Sequence, residues 1–266
     1  MIGTVMEVST TLTEERYDSI LAIVNSERSA TVQELAERLN VSESTVRRDL
    51  TALDKIGRLI KVHGGATAVE LEYSTRDLSM REKQSLNYEE KEQIAAYAAK
   101  LIRPDDFVYI DAGSTTQLLV EKITELSATY VTNSISHASV LAAKGCTVFI
   151  LGGRVKSITD ALVGSRTVAA LEDYNFTIGF FGTNGADEKH GYTTPDLVES
   201  MVKKTAMEHT HHRYVLCDHS KLGTISSVKF AEFGFATVIT GTLSSDKYRK
   251  CRNVVEVSGP DLHSNV

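Results

Sequence analysis

The sequence predicts an α/β chain in two parts: a small N-terminal unit of three helices closed by a β-ribbon, then a larger domain on a mainly parallel sheet. Three observations carry this. Residues 42–54 fit one amphipathic helix with a clean start and a basic outward face. The stretch after it alternates apolar and basic residues up to a Gly-Gly pair. From Tyr88 onward, short apolar runs alternate with helical patterns, as strand–helix units require.

Ser42 is a good N-cap for the helix of residues 42–54, and Val41 and Val46 sit at the N′ and N4 positions of a hydrophobic staple. Val46, Leu50 and Leu53 then follow at i, i+4 and i+7 as one apolar stripe. At about 100° per residue, Ser44 and Arg48 point away from that stripe, with Arg47 and Thr51 beside them. Guanidinium and hydroxyl groups on one face suit guanine edges and phosphates. Taken alone, a solvated amphipathic helix would read the same way; the neighbouring elements separate the two.

Residues 1–11 read as a flexible leader. A first helix runs from Leu12 to about Ser26, with Tyr17, Ile20, Leu21 and Val24 at helical spacing, and Asn25 to Ala30 is a turn. Thr31-Val-Gln-Glu34 is a capping box that opens a short second helix through Leu35, Ala36 and Leu39. Gly57 closes the third helix, and Arg58–His63 alternates like a strand before Gly64-Gly65. Residues 12–67 therefore read as a winged helix-turn-helix: the third helix is placed for a major groove, and the ribbon for the backbone or minor groove. The candidate contacts to double-stranded DNA are Ser42, Ser44, Thr45, Arg47, Arg48, Thr51, Arg58, Lys61, His63 and Gly64.

Charge is distributed to match. The chain of 266 residues carries a net −6, which alone argues against nucleic acid. Between Arg38 and His63, however, six Lys/Arg stand against three Asp/Glu, a local +3 that leaves −9 for the rest. A basic patch on an acidic body fits a DNA-binding module fused to something else. The composition, 42% hydrophobic and 24% charged, is that of an ordinary globular chain. No apolar run is long enough to span a membrane and no signal-peptide pattern opens the chain, so the cytoplasm is the expected compartment. Cys146, Cys217 and Cys251 are odd in number and widely spaced, which suggests neither a disulfide framework nor a zinc knuckle.

Residues 68–87 are polar and charged and read as a linker, partly helical. A sensor domain then spans 88–250, and 251–266 form a tail. Within it, Glu89–Leu101 is an Ala-rich helix stopped by Pro104, Phe107–Asp111 a strand, and Leu118–Leu126 a helix. Further strands are expected at Thr129–Thr132, Thr147–Leu151, Thr177–Phe181, Arg213–Cys217 and Thr237–Thr240. Ligands of such sheets bind beyond the carboxyl ends of the strands.

The loops at those ends supply the candidate ligand-binding residues. In Asp111-Ala-Gly-Ser-Thr-Thr116, Gly113 allows close backbone approach, Ser114, Thr115 and Thr116 bring hydroxyls, and free N–H groups at a helix start favour an anion. Asp111 suits sugar hydroxyls. A βα turn with an ordinary Ser/Thr N-cap would look alike. Asn133, Gly152-Gly153-Arg154, Asn184 and Asp218-His-Ser-Lys221 end other strands on the same face, and Arg154 and Lys221 supply cations for a phosphate. A helix beginning at Thr194-Pro195 carries the stripe Leu197, Val198, Met201 and Val202. Projection places Lys204 at the stripe's edge, reaching inward, and Lys203 on the far side, pairing with Glu199. The cluster His209-Thr-His-His212 has neither a helical i, i+4 pair nor zinc-motif spacing; a helix C-terminus accounts for it, and no metal or cofactor is expected. Cys217 reads as a packed core residue.

Several of these stretches resemble one family. Leu12-Thr-Glu-Glu-Arg16, Val32-Gln-Glu-Leu-Ala36, Ser42-Glu-Ser-Thr-Val-Arg-Arg-Asp-Leu50 and Lys61-Val-His-Gly-Gly-Ala66 resemble the N-terminal domain of DeoR-family bacterial transcription regulators. Asp111-Ala-Gly-Ser-Thr-Thr, Val131-Thr-Asn133, Gly152-Gly153 and Asp218-His-Ser-Lys221 match that family's sensor domain in order and spacing, so the resemblance covers roughly residues 12–245. It implies a sensor fold similar to ribose-phosphate isomerase. His137-Ala-Ser, Gly182-Thr-Asn-Gly185 and Gly191-Tyr-Thr-Thr-Pro-Asp196 look most like repressors of fructose-utilisation operons, which implies release from the operator by fructose 1-phosphate; regulators of other sugar-phosphate pathways share many of these residues.

Three functions follow from these readings. The first is a DNA-binding repressor sensing a phosphorylated sugar, acting as a homodimer or homotetramer because helix-turn-helix readers recognise paired half-sites. The second is an enzyme of the sugar-phosphate isomerase kind, for which Asp111 or Asp218 would be the base; no paired acid and base stand out, and the winged helix has no role there. The third, a nucleotide-binding protein, lacks a Gly-x-x-x-x-Gly-Lys-Ser/Thr loop. The first is the expectation, without membrane association and without catalysis.

Overall fold

In a computed structural model, the described residues are 13, 16–24, 27, 29–56, 58–68, 73, 74, 78–243 and 246–257. The chain divides into residues 1–70 and 71–266. The expected leader, Leu12, Asn25, Ser26 and Gly57 lie outside the described residues.

In the first unit, residues 16–24 are helical (α1). Thr31 opens α2 (Val32–Leu39) through the expected reciprocal cap: its side chain accepts from Glu34 N at 3.2 Å while Glu34 accepts from Thr31 N at 2.8 Å. Asn40, in the left-handed region with φ 51°, ends α2, since a short polar side chain tolerates that conformation. Ser42 caps α3 (Glu43–Lys55). Val46, Leu50 and Leu53 face inward with Ile20, Leu21, Val24 and Leu35, and Val41 packs against the same cluster. Each such side chain contributes about 1.5–3 kcal/mol by leaving water, far more than helix propensity does.

The turn expected over residues 25–30 is partly strand. Ser29–Thr31 (β1) pairs with Gly65–Thr67 (β3), which pairs with Ile60–Val62 (β2), all antiparallel. The Gly-Gly pair has two separate causes. Gly64 turns the hairpin at φ +91°, and Gly65 lies so close to β1 that a Cβ there would stand 2.3 Å from the Ala30 carbonyl oxygen.

The second unit opens with β4 (Tyr73–Ser74), α4 (Met80–Ser85) and α5 (Tyr88–Ala99). Then come β5 (Phe107–Ile110), α6 (Ser114–Lys122), β6 (Thr129–Thr132), α7 (Ile135–Ala143), β7 (Thr147–Ile150), the hairpin β8 (Arg154–Lys156) and β9 (Ala161–Val163), and α8 (Ser165–Glu172). The remainder is β10 (Phe176–Gly182), β11 (Gly185–Asp187), β12 (Gly191–Thr194), α9 (Leu197–Glu208), β13 (Thr210–Leu216), β14 (Ile225–Ser226), β15 (Val228–Ala231), β16 (Thr237–Thr240), α10 (Asp246–Arg249) and β17 (Val254–Glu256).

Seven of these strands form a wholly parallel sheet in the order β17-β16-β13-β10-β5-β6-β7. Alternation along each strand fills two cores. Tyr109, Val131, Phe181, Val215 and Val238 face α8 and α9, while Val108, Ile110, Phe180, Leu216 and Ile239 face α5, α6 and α7. The chain runs outward from β5 through β6 to β7, then returns to β10 on the other side of β5. The strand order therefore reverses between β5 and β10, and the loops after these two strands open a crevice there.

Two boundary expectations are corrected. The stretch read as a partly helical linker does hold a helix, α4, whose capping box joins Ser79 to Glu82, but it also contributes β4, paired in parallel with β14. The stretch read as a tail contributes β17, an edge strand beside β16. Among the described residues, no helix is long and apolar enough to cross a membrane.

Candidate functional site

On α3 the apolar stripe fixes which face is open. Ser42, Ser44, Arg47 and Arg48 are exposed, Thr45 and Thr51 half-buried. Ser42 is occupied locally: its hydroxyl accepts from Thr45 N at 3.2 Å and contacts the Ser44 and Thr45 hydroxyls at 2.8 and 2.9 Å. Arg47 pairs with Glu43 at 2.7 Å, one helical turn back. Lys61 of β2 leans on the helix: its ammonium donates to Thr51 Oγ1 at 2.7 Å and its backbone N–H to Asp54 at 2.9 Å. Wing and helix thus form one basic face, with His63 and Gly64 exposed at the hairpin and Arg58 half-buried at its base. Sequence reading missed the brace behind it. Asp49, 1% exposed, accepts from Arg16 Nε at 2.5 Å and Nη2 at 3.2 Å, tying α3 to α1.

The crevice of the second unit is a cleft of about 660 Å³, open to solvent. From β5 it receives Gly113, Ser114 and Thr115, and from β10 Thr183 and Asn184. α6 begins four residues earlier than expected, at Ser114, and its N-cap Gly113 has no side chain to cap it, which leaves the first N–H groups facing the cleft. Asp218 and Lys221 line the cleft after β13, together with the buried Cys217.

Lys203 lines the cleft, and Asp111, expected as a ligand-binding residue, lies behind the lining as its partner. Asp111 is 1% exposed and Lys203 6%; the ammonium donates to Asp111 Oδ2 and, at 3.1 Å, to the Gly182 carbonyl. Gly182 N–H donates to the same carboxylate oxygen at 3.0 Å. Burial pushes the Asp111 pKa up, and Lys203 and the Gly182 N–H pull it back. Thr116 and Asn133 are braces. The Thr116 hydroxyl donates to the Asp111 carbonyl at 2.6 Å, and Asn133 Oδ1 accepts from Ala112 N at 2.8 Å.

The expectation for α9 is corrected. The helix starts at Leu197 with Asp196 as its cap, because Thr194 remains in β12. Leu197 and Met201 face outward, while Glu199, Ser200, Val202 and Lys203 are buried. Lys204 is exposed and lies 4.0 Å from Glu208. Apolar projection failed here because a buried polar group, Lys203 on Asp111, sets the rotation. Glu199 bonds instead with Thr159 at 2.5 Å and Lys156 at 3.2 Å.

Gly152, Gly153 and Arg154 also lie elsewhere. Gly153 packs where a Cβ would stand 2.1 Å from Thr167 Oγ1, and Arg154 is exposed on β8. The histidine cluster separates: His209 caps α9 and contacts the Tyr174 carbonyl at 3.0 Å, while His211 and His212 are exposed on β13. The cleft is also lined by Met80, Lys83, Leu86 and Lys91, from α4, α5 and the corner between them. Only the charges of that stretch were visible beforehand, and they read as solvated.

A recognition helix with a basic wing, joined to a doubly wound domain with a cationic crevice at its switch point, defines a DNA-binding transcriptional regulator carrying its own sensor domain. The comparisons agree. The DeoR-like helix-turn-helix domain matches residues 16–72 and the DeoR C terminal sensor domain residues 86–242. An uncharacterized HTH-type transcriptional regulator FruR of Bacillus subtilis (strain 168) is 39% identical over 94% of this chain and 100% of that one. A lactose phosphotransferase system repressor of Streptococcus mutans serotype c is 34% identical over 92% and 98%. The chain belongs to the DeoR family of helix-turn-helix transcriptional regulators. Among solved structures, a ribose 5-phosphate isomerase from Methanocaldococcus jannaschii matches at 18% identity and TM-score 0.37, over 50% of this chain and 53% of that one, too slight a likeness to argue from.

Proposed function

We propose that this chain is a cytoplasmic repressor of a sugar-utilisation operon, released from its operator by a sugar phosphate, with fructose 1-phosphate as the foremost effector. The observation that carries the reading is the cleft. It gathers Lys83, Lys91, Lys203 and Lys221 beside Glu199, Asp218 and the start of α6, which are groups for a phosphoryl anion next to groups for hydroxyls. The exposed face of α3 and the wing would read the operator through Arg48, Arg47 and Ser44, with Lys61, Arg58 and His63 on backbone. Paired half-sites fit a homodimer or homotetramer. The effector would act by preferring one arrangement of the sensor, while DNA prefers another.

Two observations favour particular sugars. The resemblance of His137-Ala-Ser, Gly182–Gly185 and Gly191–Asp196 to fructose-operon repressors supports fructose 1-phosphate, and the relatives named lactose phosphotransferase system repressors keep another sugar in view. An isomerase would need a carboxylate base free to meet its substrate. Asp111 is held by Lys203 and Gly182, and Asp218 by Asn87 at 2.8 Å and Ser220 Oγ at 2.5 Å.

The test is fluorescence anisotropy of a labelled fragment from upstream of this protein's own operon, at fixed salt, with separate additions of fructose 1-phosphate, fructose 6-phosphate and other sugar phosphates. Specific binding relieved by fructose 1-phosphate alone is the expected result. Relief by a different phosphosugar moves the effector, and no specific binding under any condition defeats the repressor reading.

A further inference from the structure

The end of the sheet opposite the cleft carries two histidines that the repressor reading leaves unused. β13 starts at Thr210, but its pairing with β16 begins only where Tyr214 meets Thr237. Residues 210–213 therefore run past the start of β16, and a hollow of about 460 Å³ opens beside them. β10, β13 and β16 run parallel, so this hollow lies at their amino ends, while the cleft receives the carboxyl ends. Its size is in the range of small-molecule sites.

The walls hold donors without acceptors. Arg213 Nε donates to the Met207 carbonyl at 2.7 Å, and the guanidinium lies over the Phe235 ring, 4.1 Å from its centroid. That bond is the one hydrogen bond of Arg213 among the described residues, so both terminal nitrogens keep their N–H groups for a ligand. Stack and bond together hold the planar fork in place, which lowers the ordering cost when an anion docks. Asn253 fixes the platform beneath it: Nδ2 donates to the Phe233 and Ala236 carbonyls at 2.8 and 3.0 Å, on either side of Phe235. His211 and His212 line the same hollow with their rings edge to face, centroids 4.3 Å apart. Among the described residues neither makes a hydrogen bond, and each imidazole offers at least one N–H.

No carboxylate lines the hollow among the described residues, although the chain carries a net −6. One guanidinium and two imidazoles without an acid make a local surface that draws anions. Two imidazoles also suggest a metal ion. Among the described residues, however, no third histidine, cysteine or carboxylate stands with them, whereas zinc takes three or four protein ligands, and the guanidinium beside them repels a cation.

We propose that Arg213, His211 and His212 form a second ligand site, for a small oxyanion (a carboxylate or a phosphate) that Arg213 holds bidentately. The site is separate from the cleft and stands whether or not the cleft binds a sugar phosphate.

Histidine NMR on the full-length protein at fixed pH tests this, with inorganic phosphate and malonate as probes and sodium chloride at matched ionic strength as the control. His211→Asn and His212→Asn assign the two signals. Both signals should move saturably with phosphate, malonate or both, and hold still with chloride; the tighter probe tells a phosphoryl from a carboxylate ligand. Arg213→Gln should abolish the movement. Arg213→Lys, which keeps the charge but not the fork, should weaken binding by about tenfold or more. If losing the Met207 bond unfolds either variant, Phe235→Leu, at a position 40% exposed, removes only the platform and should weaken binding severalfold. Still signals, shifts that do not saturate, equal shifts with chloride, or parental affinity in any folded variant of these three would overturn the proposal.

Discussion

Lys203 crosses from α9 to the end of β5 and donates to the buried carboxylate of Asp111, whose other partner is the Gly182 N–H. Lys203→Met would strand that carboxylate. Removing one side of a buried pair costs about 3–5 kcal/mol, and Asp111, already pushed up by burial, would move further toward its neutral form. Urea unfolding at pH 7 should show a loss of about 3 kcal/mol for Lys203→Met. The double variant Asp111→Asn with Lys203→Met should recover part of it. Additive losses would mean that the two groups do not act as a pair.

That pair also marks where sequence reading stopped. The large features were legible because they are periodic or local: the Thr31–Glu34 cap, the stripe of α3, and the five strands placed between Thr129 and Thr240. Strand ends at a switch point single out Asp111, Asp218 and Lys221 alike; Asp218 and Lys221 line the cleft, while Asp111 lies behind it on Lys203. Lys203 was not legible, since a helix is projected by its apolar residues, and here Leu197 and Met201 are left outside. Lys91 and Asp49 were not either. Asp49 is buried by Arg16, far along the chain, and Lys91 by the Lys83 carbonyl and the wall near Asp218; charge alone reads as surface. Residues 68–87 read as a linker because their polar composition hides the pairing of β4 with β14.

Arg48 is exposed on α3, opposite the buried stripe. If it reads a guanine edge bidentately, Arg48→Ala costs about 1–3 kcal/mol of operator affinity and relaxes preference at that base pair. Lys61, tied to Thr51 at 2.7 Å, is placed for backbone. Lys61→Ala should weaken all sequences alike and lower the salt slope by about 1. Anisotropy titrations on specific and scrambled fragments across salt separate the two behaviours. Equal losses on both fragments for Arg48→Ala would remove it from the reading face.

Asp49 sits under the recognition helix and accepts both arms of Arg16. Asp49→Ala removes a charge-assisted brace between α1 and α3 and leaves the guanidinium partly buried. A loss of about 2–3 kcal/mol is expected in the stability of the DNA-binding unit, with weaker operator binding although Asp49 faces inward. Near-parental stability with lost DNA binding would instead make Asp49 a direct reader.

His137, on the first turn of α7, gives the sensor domain a dependence on pH. It is fully buried. Neither ring nitrogen makes a hydrogen bond of normal geometry, although the Gly113 backbone lies close. Burial lowers its pKa to about 4 from an ordinary 6.5, so the folded protein keeps it neutral. As pH falls from 6.5 toward 4, the unfolded chain takes up a proton that the folded chain refuses, and stability declines by up to about 3 kcal/mol. Asp160, Asp187 and Asp196 are lowered below the ordinary 3.8, so their contributions are lost only at lower pH. Asp111, raised by burial, opposes His137 within the window, and for that reason the measurement must be a difference between variants. His137→Leu replaces a ring without partners by an apolar group, which should be neutral or stabilising at pH 7. Between pH 7 and 4.5, thermal or urea unfolding of the variant should lose about 2 kcal/mol less than the parent does. Parallel pH profiles for the two proteins would mean that His137 is charged, or free to charge, in the folded state.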